Sequence, residues 1–129
     1  MKSTVVPFRN GIMLSIAAGL ANSKGFDAII LGNHSGDHTI YPDCRPEFID
    51  HIRDAISSGT DDRVMVVSPF CHITKADIVK EGKELGVDFS LTYSCYKGKG
   101  KHCGKCGTCI ERKEAFALAG VEDPTEYEE

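Results

Sequence analysis

Apolar positions along the chain predict an alternation of helices and strands. Residues 10–22 are apolar around most of a helical circumference, a pattern typical of a helix buried on nearly all sides. The short stretches 27–32 and 64–67 are apolar without alternation, which indicates parallel strands covered on both faces. Capping and stop residues predict three more helices, between Arg45 and Gly59, between Thr74 and Gly86, and from Ile110 to Ala119.

The predicted helix ends carry recognisable signals. Asn10 is expected to cap the first helix through its side chain, and Gly25 follows its end. Thr74 and Asp77 have the spacing of a capping box at the start of the third helix. Beyond the last helix, the acidic segment 122–129 is expected to fray from the fold.

Strands that alternate with helices predict an α/β fold with a parallel sheet. Only two strands are predicted, whereas an average sheet has about five or six. Two strands cannot cover the apolar surface of four helices. We therefore expect the sequence to be part of a larger domain, or to complete its sheet with another chain.

The composition is ordinary for one globular domain, with 129 residues, 41% hydrophobic and 26% charged. No segment resembles a signal peptide or is apolar over the length of a membrane span, so a cytoplasmic location is expected. A net charge of −4 gives no general attraction to nucleic acid or an anionic membrane. The charge is uneven, because residues 96–113 carry +5 and the remainder therefore −9.

Four of the six cysteines form the pattern Cys-x7-Cys-x2-Cys-x2-Cys. Clustered cysteines in a cytoplasmic protein bind metal more often than they form disulfides. Four thiolates without a vacant position are typical of a structural zinc ion, one per chain, and an iron–sulfur cluster is the alternative. Gly104 and Gly107 lie in the two-residue gaps and permit positive φ, and His102 is a possible substitute ligand. The predicted ligands are Cys95, Cys103, Cys106 and Cys109.

The basic residues around this cluster have two interpretations. Four thiolates around one divalent cation leave a formal charge of −2, which neighbouring lysine and arginine side chains would offset. A solvated lysine loop is the equally weighted alternative.

A second group of candidate residues follows the first predicted strand, at the carboxyl end where open α/β sheets bind ligands. Carboxylates, an aromatic ring and a guanidinium suit a planar heterocycle that carries a carboxylate. A polar loop whose Asp and Pro residues form turns is the alternative. The candidates are Asp37, Tyr41, Asp43 and Arg45.

Two further positions are candidate anion contacts. Arg9 and Asn10 stand at the head of the first helix, where backbone N–H groups favour a negative ligand, although Asn10 is also explained as a cap. Lys75 starts the third helix and is alternatively a solvated side chain. The sequence contains no nucleophile elbow, H-E-x-x-H motif or Walker loop.

Taken together, these residues give the sequence a resemblance to the 7-cyano-7-deazaguanine synthase family of queuosine and archaeosine biosynthesis. The resemblance covers nearly the whole chain. Its segments are Val-Pro-Phe-Arg-Asn at 6–10, Leu-Gly at 31–32, Asp37, Tyr-Pro-Asp-Cys-Arg-Pro-Glu-Phe at 41–48, Thr-Lys-Ala-Asp at 74–77, Tyr-Ser-Cys-Tyr at 93–96 and the three following cysteines.

The resemblance implies an ATP-pyrophosphatase fold, a doubly wound, Rossmann-like parallel sheet of the adenine nucleotide alpha hydrolase type. Residues 1–92 would belong to this α/β domain, and residues 93–129 to the zinc loop, terminal helix and tail. The implied reaction is ATP-dependent ligation with magnesium, which converts 7-carboxy-7-deazaguanine and ammonia to the nitrile by adenylation, amide formation and dehydration. A homodimer is implied, without direct nucleic acid or membrane contact.

The resemblance also implies residue roles. Lys75 would neutralise charge that develops on phosphate or on the acyl adenylate. The roles are nucleotide binding for Arg9 and Asn10, substrate binding for Tyr41, Asp43 and Arg45, and catalysis for Asp37 and Lys75.

The sequence departs from the family pattern in two respects. The family's Ser-Gly-Gly-x-Asp-Ser loop, which holds the ATP phosphates, is absent, and Phe8 stands where a small residue is usual. The sequence is therefore interpreted as a C-terminal portion that is inactive alone in nitrile formation.

Two other functions remain open on the sequence. A related ATP-pyrophosphatase that thiolates tRNA would carry sulfur on paired cysteines, and Cys44 and Cys71 are the two outside the cluster. A non-catalytic zinc module that binds RNA or protein is suggested by the basic segment. The sequence assigns no role to His34, His38 or His72.

Overall fold

The computed structural model describes residues 5–97 and 100–128. Lys99 of the basic segment and Glu129 of the acidic tail lie outside these residues. The described elements are helices α1 (Arg9–Lys24), α2 (Pro46–Gly59), α3 (Lys75–Glu84) and α4 (Gly107–Ala119), strands β1 (Ala28–Ile30) and β2 (Met65–Val67), and short 3₁₀ turns at Ser35–Asp37, Pro42–Cys44 and Phe89–Leu91. This order confirms the predicted α/β organisation. None of these helices has the length and apolar content needed to cross a membrane.

The chain forms two compact units, Met1–Thr74 and Lys75–Glu129. The boundary between residues 92 and 93, which the resemblance implies, stays a prediction about the domain organisation.

In the first unit, β1 and β2 pair in parallel, with Ala28 opposite Met65 and Ile30 opposite Val67. The backbone N–H of Leu31 extends this pairing by donating to the carbonyl of Val67 at 2.9 Å. The core beneath the sheet consists of Leu14, Ala18, Ala21, Ile56, Val64 and Val66. The parallel arrangement of the two predicted strands is thereby confirmed.

The expectation that α1 is buried on nearly all sides and that the strands are covered on both faces is wrong for this chain. Leu14 and Ala18 face the core, but the opposite face of α1 exposes Met13 and Ile16 by 62% and 68%. On the sheet, Ile30 is 74% exposed. Helices α1 and α2 pack on one face of the two-stranded sheet. The apolar residues on the other face of the sheet and on the far side of α1 therefore face solvent.

Asn10 does not cap α1, contrary to the sequence prediction. The helix begins at Arg9, and the preceding Phe8 has a left-handed backbone with φ of 56°. The ring of Phe8 folds back over Gly11, where an added Cβ would lie 2.3 Å from the ring, and it packs edge-on against Phe48. Asn10 therefore lies inside the first turn, where its backbone N–H is capped by a residue distant in sequence.

In the second unit, α3 and α4 pack through Val79, Ala115 and Phe116. The ring of Phe89 packs edge-on against Phe116, with centroids 5.0 Å apart. Helix α4 starts at Gly107, earlier than the predicted Ile110, and ends at Ala119, before Gly120, whose φ of 67° matches the predicted glycine stop.

The acidic tail is not frayed over residues 121–128, so that prediction is wrong. Asp123 accepts hydrogen bonds from Arg112 Nε at 3.1 Å and from the Tyr127 hydroxyl at 2.6 Å. Burial alone would raise the pKa of Asp123, but hydrogen bonds from Tyr127, Thr125 and Arg112 together hold it below its usual value. The carboxylate thus stays charged opposite Arg112, whose side chain is 7% exposed.

Candidate metal centre and ligand-binding loop

The four predicted metal ligands converge on one point. Their Sγ atoms all lie within 4.8 Å of one another, and all four cysteines are buried. The Cys106 sulfur lies 3.4 Å from that of Cys109 and 3.9 Å from that of Cys95. Sulfurs around a tetrahedral zinc ion with bonds of about 2.3 Å are separated by about 3.8 Å. The donor set and its spacing therefore fit one metal ion.

Backbone N–H groups donate hydrogen bonds to two of these sulfurs, whereas burial raises the pKa of the Cys109 thiol to about 12. The backbone N–H groups of Lys97 and Cys103 both donate to Cys95 Sγ at 3.3 Å, and that of Cys106 donates to Cys103 Sγ at 3.3 Å. A hydrogen bond with the Thr108 hydroxyl is the largest effect that lowers the pKa of Cys106. Hydrogen bonds to sulfur favour its charged form, which is the form that binds a cation.

Gly104 confirms its predicted role in the metal loop, whereas Gly107 does not. Gly104 has φ of 68°, in the left-handed region that permits the turn between Cys103 and Cys106. Gly107 is instead the first residue of α4 and is absent from the glycines with positive φ.

Gly104→Ala should destabilise the second unit by about 1–2 kcal/mol, because a side chain in the left-handed region is strained. Its Cβ would also lie 3.1 Å from Lys113 Nζ and 3.4 Å from Tyr127 Cδ1. The matched control is Gly19→Ala in α1, where nothing lies within 4 Å and alanine is the better helix former. Urea unfolding of the metal-loaded chain measures both, and equal stability of the two variants would contradict the turn geometry.

His102 is not a substitute ligand in this structure. Its Nε2 accepts the backbone N–H of Ser94 at 2.9 Å, and its ring packs on that of Tyr93 with centroids 4.5 Å apart. The residue is 5% exposed. It therefore orders the segment before Cys95 instead of offering a nitrogen to the metal.

The loop after β1 is ordered by its own side chains. Asp37 Oδ2 accepts the backbone N–H of His34 at 3.3 Å and so caps the 3₁₀ turn. Arg45 Nε donates to the carbonyl of His38 at 2.9 Å, and Ser35 donates to the carbonyl of Ile73. The predicted candidates Asp37 and Arg45 thus hold the shape of the loop, in agreement with the alternative that its polar residues form turns.

Asp43 joins this loop to the start of α1. Its Oδ2 accepts the backbone N–H of Asn10 at 2.8 Å, and Asn10 Nδ2 donates to the Asp43 carbonyl at 3.1 Å and to Cys44 Sγ at 3.1 Å. The structure therefore brings a predicted nucleotide residue into contact with a predicted substrate residue. Burial, followed by the negative charges of Asp37 and Asp43, raises the pKa of Cys44 to about 11, so this thiol is protonated.

Asp43→Ala should cost about 1–2 kcal/mol in the free energy of unfolding, since it removes a charged cap from the N-terminus of α1. The control is Asp50→Ala in α2, whose side chain is 67% exposed and should change stability by less than about 0.5 kcal/mol. Urea titration followed by circular dichroism measures both variants. Equal effects of the two substitutions would show that Asp43 does not cap the helix.

Asn33, at the start of the loop after β1, has a structural role that the sequence pattern did not predict. It is 4% exposed, and its Nδ2 donates to the Cys44 carbonyl at 2.8 Å and contacts Cys71 Sγ at 3.5 Å. Cys71 in turn lies 4.0 Å from His38 Nε2. An amide directly after an apolar strand was the available signal, because buried backbone at a strand end needs such a partner.

Lys75 starts the second unit, whereas the other predicted binding and catalytic residues belong to the first. Its Nζ pairs with Glu111 Oε2 on α4 at 2.7 Å, and both side chains are about a third exposed. Lys75 also borders a largely apolar cleft of about 320 Å³, whose lining residues are Lys75, Val79, Phe89, Thr92, Ser94, Thr108, Arg112, Ala115 and Phe116.

The chain is similar in sequence to known proteins. The family described as queuosine biosynthesis protein QueC matches residues 1–120. The chain belongs to the QueC family.

QueC relatives in three organisms are named 7-cyano-7-deazaguanine synthase. The Porphyromonas gingivalis protein is 59% identical over 128 residues, which is 99% of this chain and 58% of the relative. The Allorhizobium ampelinum and Brucella ovis proteins are 56% and 53% identical to this chain over its whole length, and the chain covers 56% of each relative. The chain therefore spans less than three fifths of the length of these curated relatives.

Proposed function

We propose that this sequence forms part of a 7-cyano-7-deazaguanine synthase, which converts 7-carboxy-7-deazaguanine and ammonia to the nitrile with ATP and magnesium. The observation that carries the proposal is identity of 53–59% over the full chain to proteins of that name. These names favour the synthase over tRNA thiolation and over a non-catalytic zinc module.

We propose zinc as the metal of the four-cysteine centre, one ion per chain. A donor set of four buried sulfurs fits a structural zinc site. When bound, the ion cross-links the loop that contains Cys95 to the first turn of α4. Its effect on catalysis would be indirect, through the position of α4.

For the substrates, we propose that Arg9 and Asn10 contact the nucleotide and that Tyr41, Asp43 and Arg45 bind the deazaguanine. The contact between Asp43 and Asn10 supports a shared site, because it fixes the loop against the N-terminus of α1. The side chain of Arg45 is exposed and held near the loop by its Nε, so its guanidinium is oriented for a carboxylate.

For catalysis, we propose Lys75 and Asp37. The ion pair with Glu111 supports this role for Lys75 because it holds the ammonium group at the start of α3, on the rim of the cleft. There it would neutralise negative charge on a phosphate or an acyl adenylate. Asp37 is proposed by resemblance, and its bond to His34 fixes the position of its carboxylate.

The remaining proposals concern the whole protein. The exposed apolar residues of α1 and of the sheet, including Ile16 and Ile30, support a place for this chain within a larger, doubly wound parallel sheet. The division between residues 1–92 and 93–129, a homodimer and a cytoplasmic location are proposed by resemblance to the family.

The test fuses this chain to the part of the Porphyromonas gingivalis relative that it does not match. With 7-carboxy-7-deazaguanine, ammonium and magnesium–ATP, the fusion should form the nitrile, detected by mass spectrometry, while the 129-residue chain alone should not. A folded, metal-loaded fusion that consumes no ATP and forms no nitrile would contradict the proposal.

A further inference from the structure

The C-terminal segment returns to the metal loop and pairs with it. His102, the residue before Cys103, donates its backbone N–H to the Glu126 carbonyl at 3.1 Å and accepts that of Glu128 at 2.7 Å. The two bonds form a parallel bridge between His102 and Tyr127. One residue of the metal loop is therefore held on both sides by the tail.

The ring of Tyr127 covers the cysteine cluster. It packs against the four buried cysteines, with its centroid 5.8 Å from the His102 ring. Lys113 lies on α4, and its ammonium group is 4.1 Å from the centroid of the Tyr127 ring. The same group donates to the Gly104 carbonyl at 3.2 Å. The ring also lies beside the turn between Cys103 and Cys106, since a Cβ added at Gly104 would be in van der Waals contact with Tyr127 Cδ1, at 3.4 Å.

A buried ion pair anchors this cover. Asp123 accepts from the Tyr127 hydroxyl and from Arg112, which lies one turn after Cys109 on α4. Arg112 also donates to the hydroxyls of Thr92 at 2.8 Å and Ser94 at 3.3 Å, in the segment before Cys95. The Arg112 guanidinium thus connects the tail to the segment before Cys95, and Arg112 itself lies on the helix that contains Cys109.

We propose that residues 123–128 form a C-terminal strap that retains the metal ion, with Tyr127 as its cover and Asp123 as its anchor. This proposal rests on the metal site proposed above, and it does not depend on the synthase activity. Metal leaves a thiolate site when a competing ligand reaches the ion or a sulfur, and apolar groups around a site control that access. The strap therefore sets the rate of metal release without contributing a ligand.

The test measures zinc release from the loaded 129-residue chain into excess 4-(2-pyridylazo)resorcinol. Tyr127→Ala should release zinc at least about 10-fold faster than the unmodified chain, and Asp123→Asn should also accelerate release. Tyr127→Phe keeps the ring but loses the bond to Asp123, so its rate should be intermediate. The control is Glu128→Ala, whose side chain is exposed and whose backbone bond is retained, and its rate should be unchanged.

The results test the metal assignment and the strap separately. A chain that binds no zinc contradicts the metal assignment, whereas a zinc-loaded Tyr127→Ala variant with an unchanged release rate contradicts the strap. If Tyr127→Ala fails to fold, Tyr127→Phe and Asp123→Asn decide, and release rates equal to that of Glu128→Ala in both overturn the strap. Alkylation of the loaded cysteines by iodoacetamide should accelerate in the same order.

Discussion

Cys109→Ser is expected to abolish stoichiometric zinc binding. Cys109 is 0% exposed, and its sulfur lies 3.4 Å from that of Cys106 at the first turn of α4. Substitutions outside a ligand set already lower metal affinity by about 10–100-fold, so loss of a thiolate should lower it by at least about 100-fold. Zinc content after dialysis against a competing chelator, measured by inductively coupled plasma mass spectrometry, gives the result.

The matched control is Cys71→Ser, which removes another buried cysteine from the first unit and should retain one zinc per chain. If Cys109→Ser also retained one zinc per chain, the four-cysteine centre would be assigned wrongly. If the unmodified chain carried iron and an absorbing cluster, the centre would be correct but the metal would not.

Lys75→Met in the fusion protein should lower kcat by about 100- to 1000-fold, the usual effect of removing one group that stabilises transition-state charge. The side chain length is nearly retained, and the pair with Glu111 Oε2 at 2.7 Å is lost together with the positive charge. Steady-state formation of nitrile and pyrophosphate measures the change. KM for 7-carboxy-7-deazaguanine should change much less than kcat.

Lys80→Met is the control for this prediction. Lys80 lies on the same helix, its side chain is 52% exposed, and its ion pair with Asp77 is long at 3.8 Å. Its kcat should remain within about twofold of the unmodified fusion, since exposed pairs of this kind contribute little. Equal rates for the two variants would remove Lys75 from the catalytic residues.

The sequence predicted the helices and strands because their signals are local. The apolar runs at 27–32 and 64–67 give β1 and β2, and Gly25 and Gly120 end α1 and α4 with φ of 74° and 67°. The four-cysteine centre was equally predictable, because its spacing alone brings the sulfurs together. The helix ends and the turns between the cysteines depend on residues close in sequence, whereas the pairing of β1 with β2 joins residues distant in sequence.

The errors concern contacts between distant residues. Asn10 has the side chain of a cap, but the carboxylate of Asp43 reaches the same helix end and Phe8 takes the position before the helix. The composition of the tail indicates fraying, yet Asp123 is fixed by Arg112 and by Tyr127. Hydrophobic periodicity and local capping rules do not predict contacts between residues that are distant in sequence.

The candidate ligand-binding loop was predicted only in part. Its place after a parallel strand was predicted, and the structure adds the contact between Asn10 and Asp43 that joins two predicted sites. The place of Asn33 directly after an apolar strand was a signal, but the burial of its amide, which gives that signal its meaning, is seen only in the structure. The extent of the apolar surface on α1 could not be predicted either, since it depends on which elements pack against it.

The fate of ammonia nitrogen tests the proposed function most directly. The fusion protein is incubated with ¹⁵N-ammonium, 7-carboxy-7-deazaguanine and magnesium–ATP, and the deazaguanine product is weighed by mass spectrometry. The proposal predicts 7-cyano-7-deazaguanine that is heavier by about one mass unit than the product from unlabelled ammonium. A zinc-loaded, folded fusion that yields no labelled nitrile, but transfers sulfur to tRNA, would contradict it.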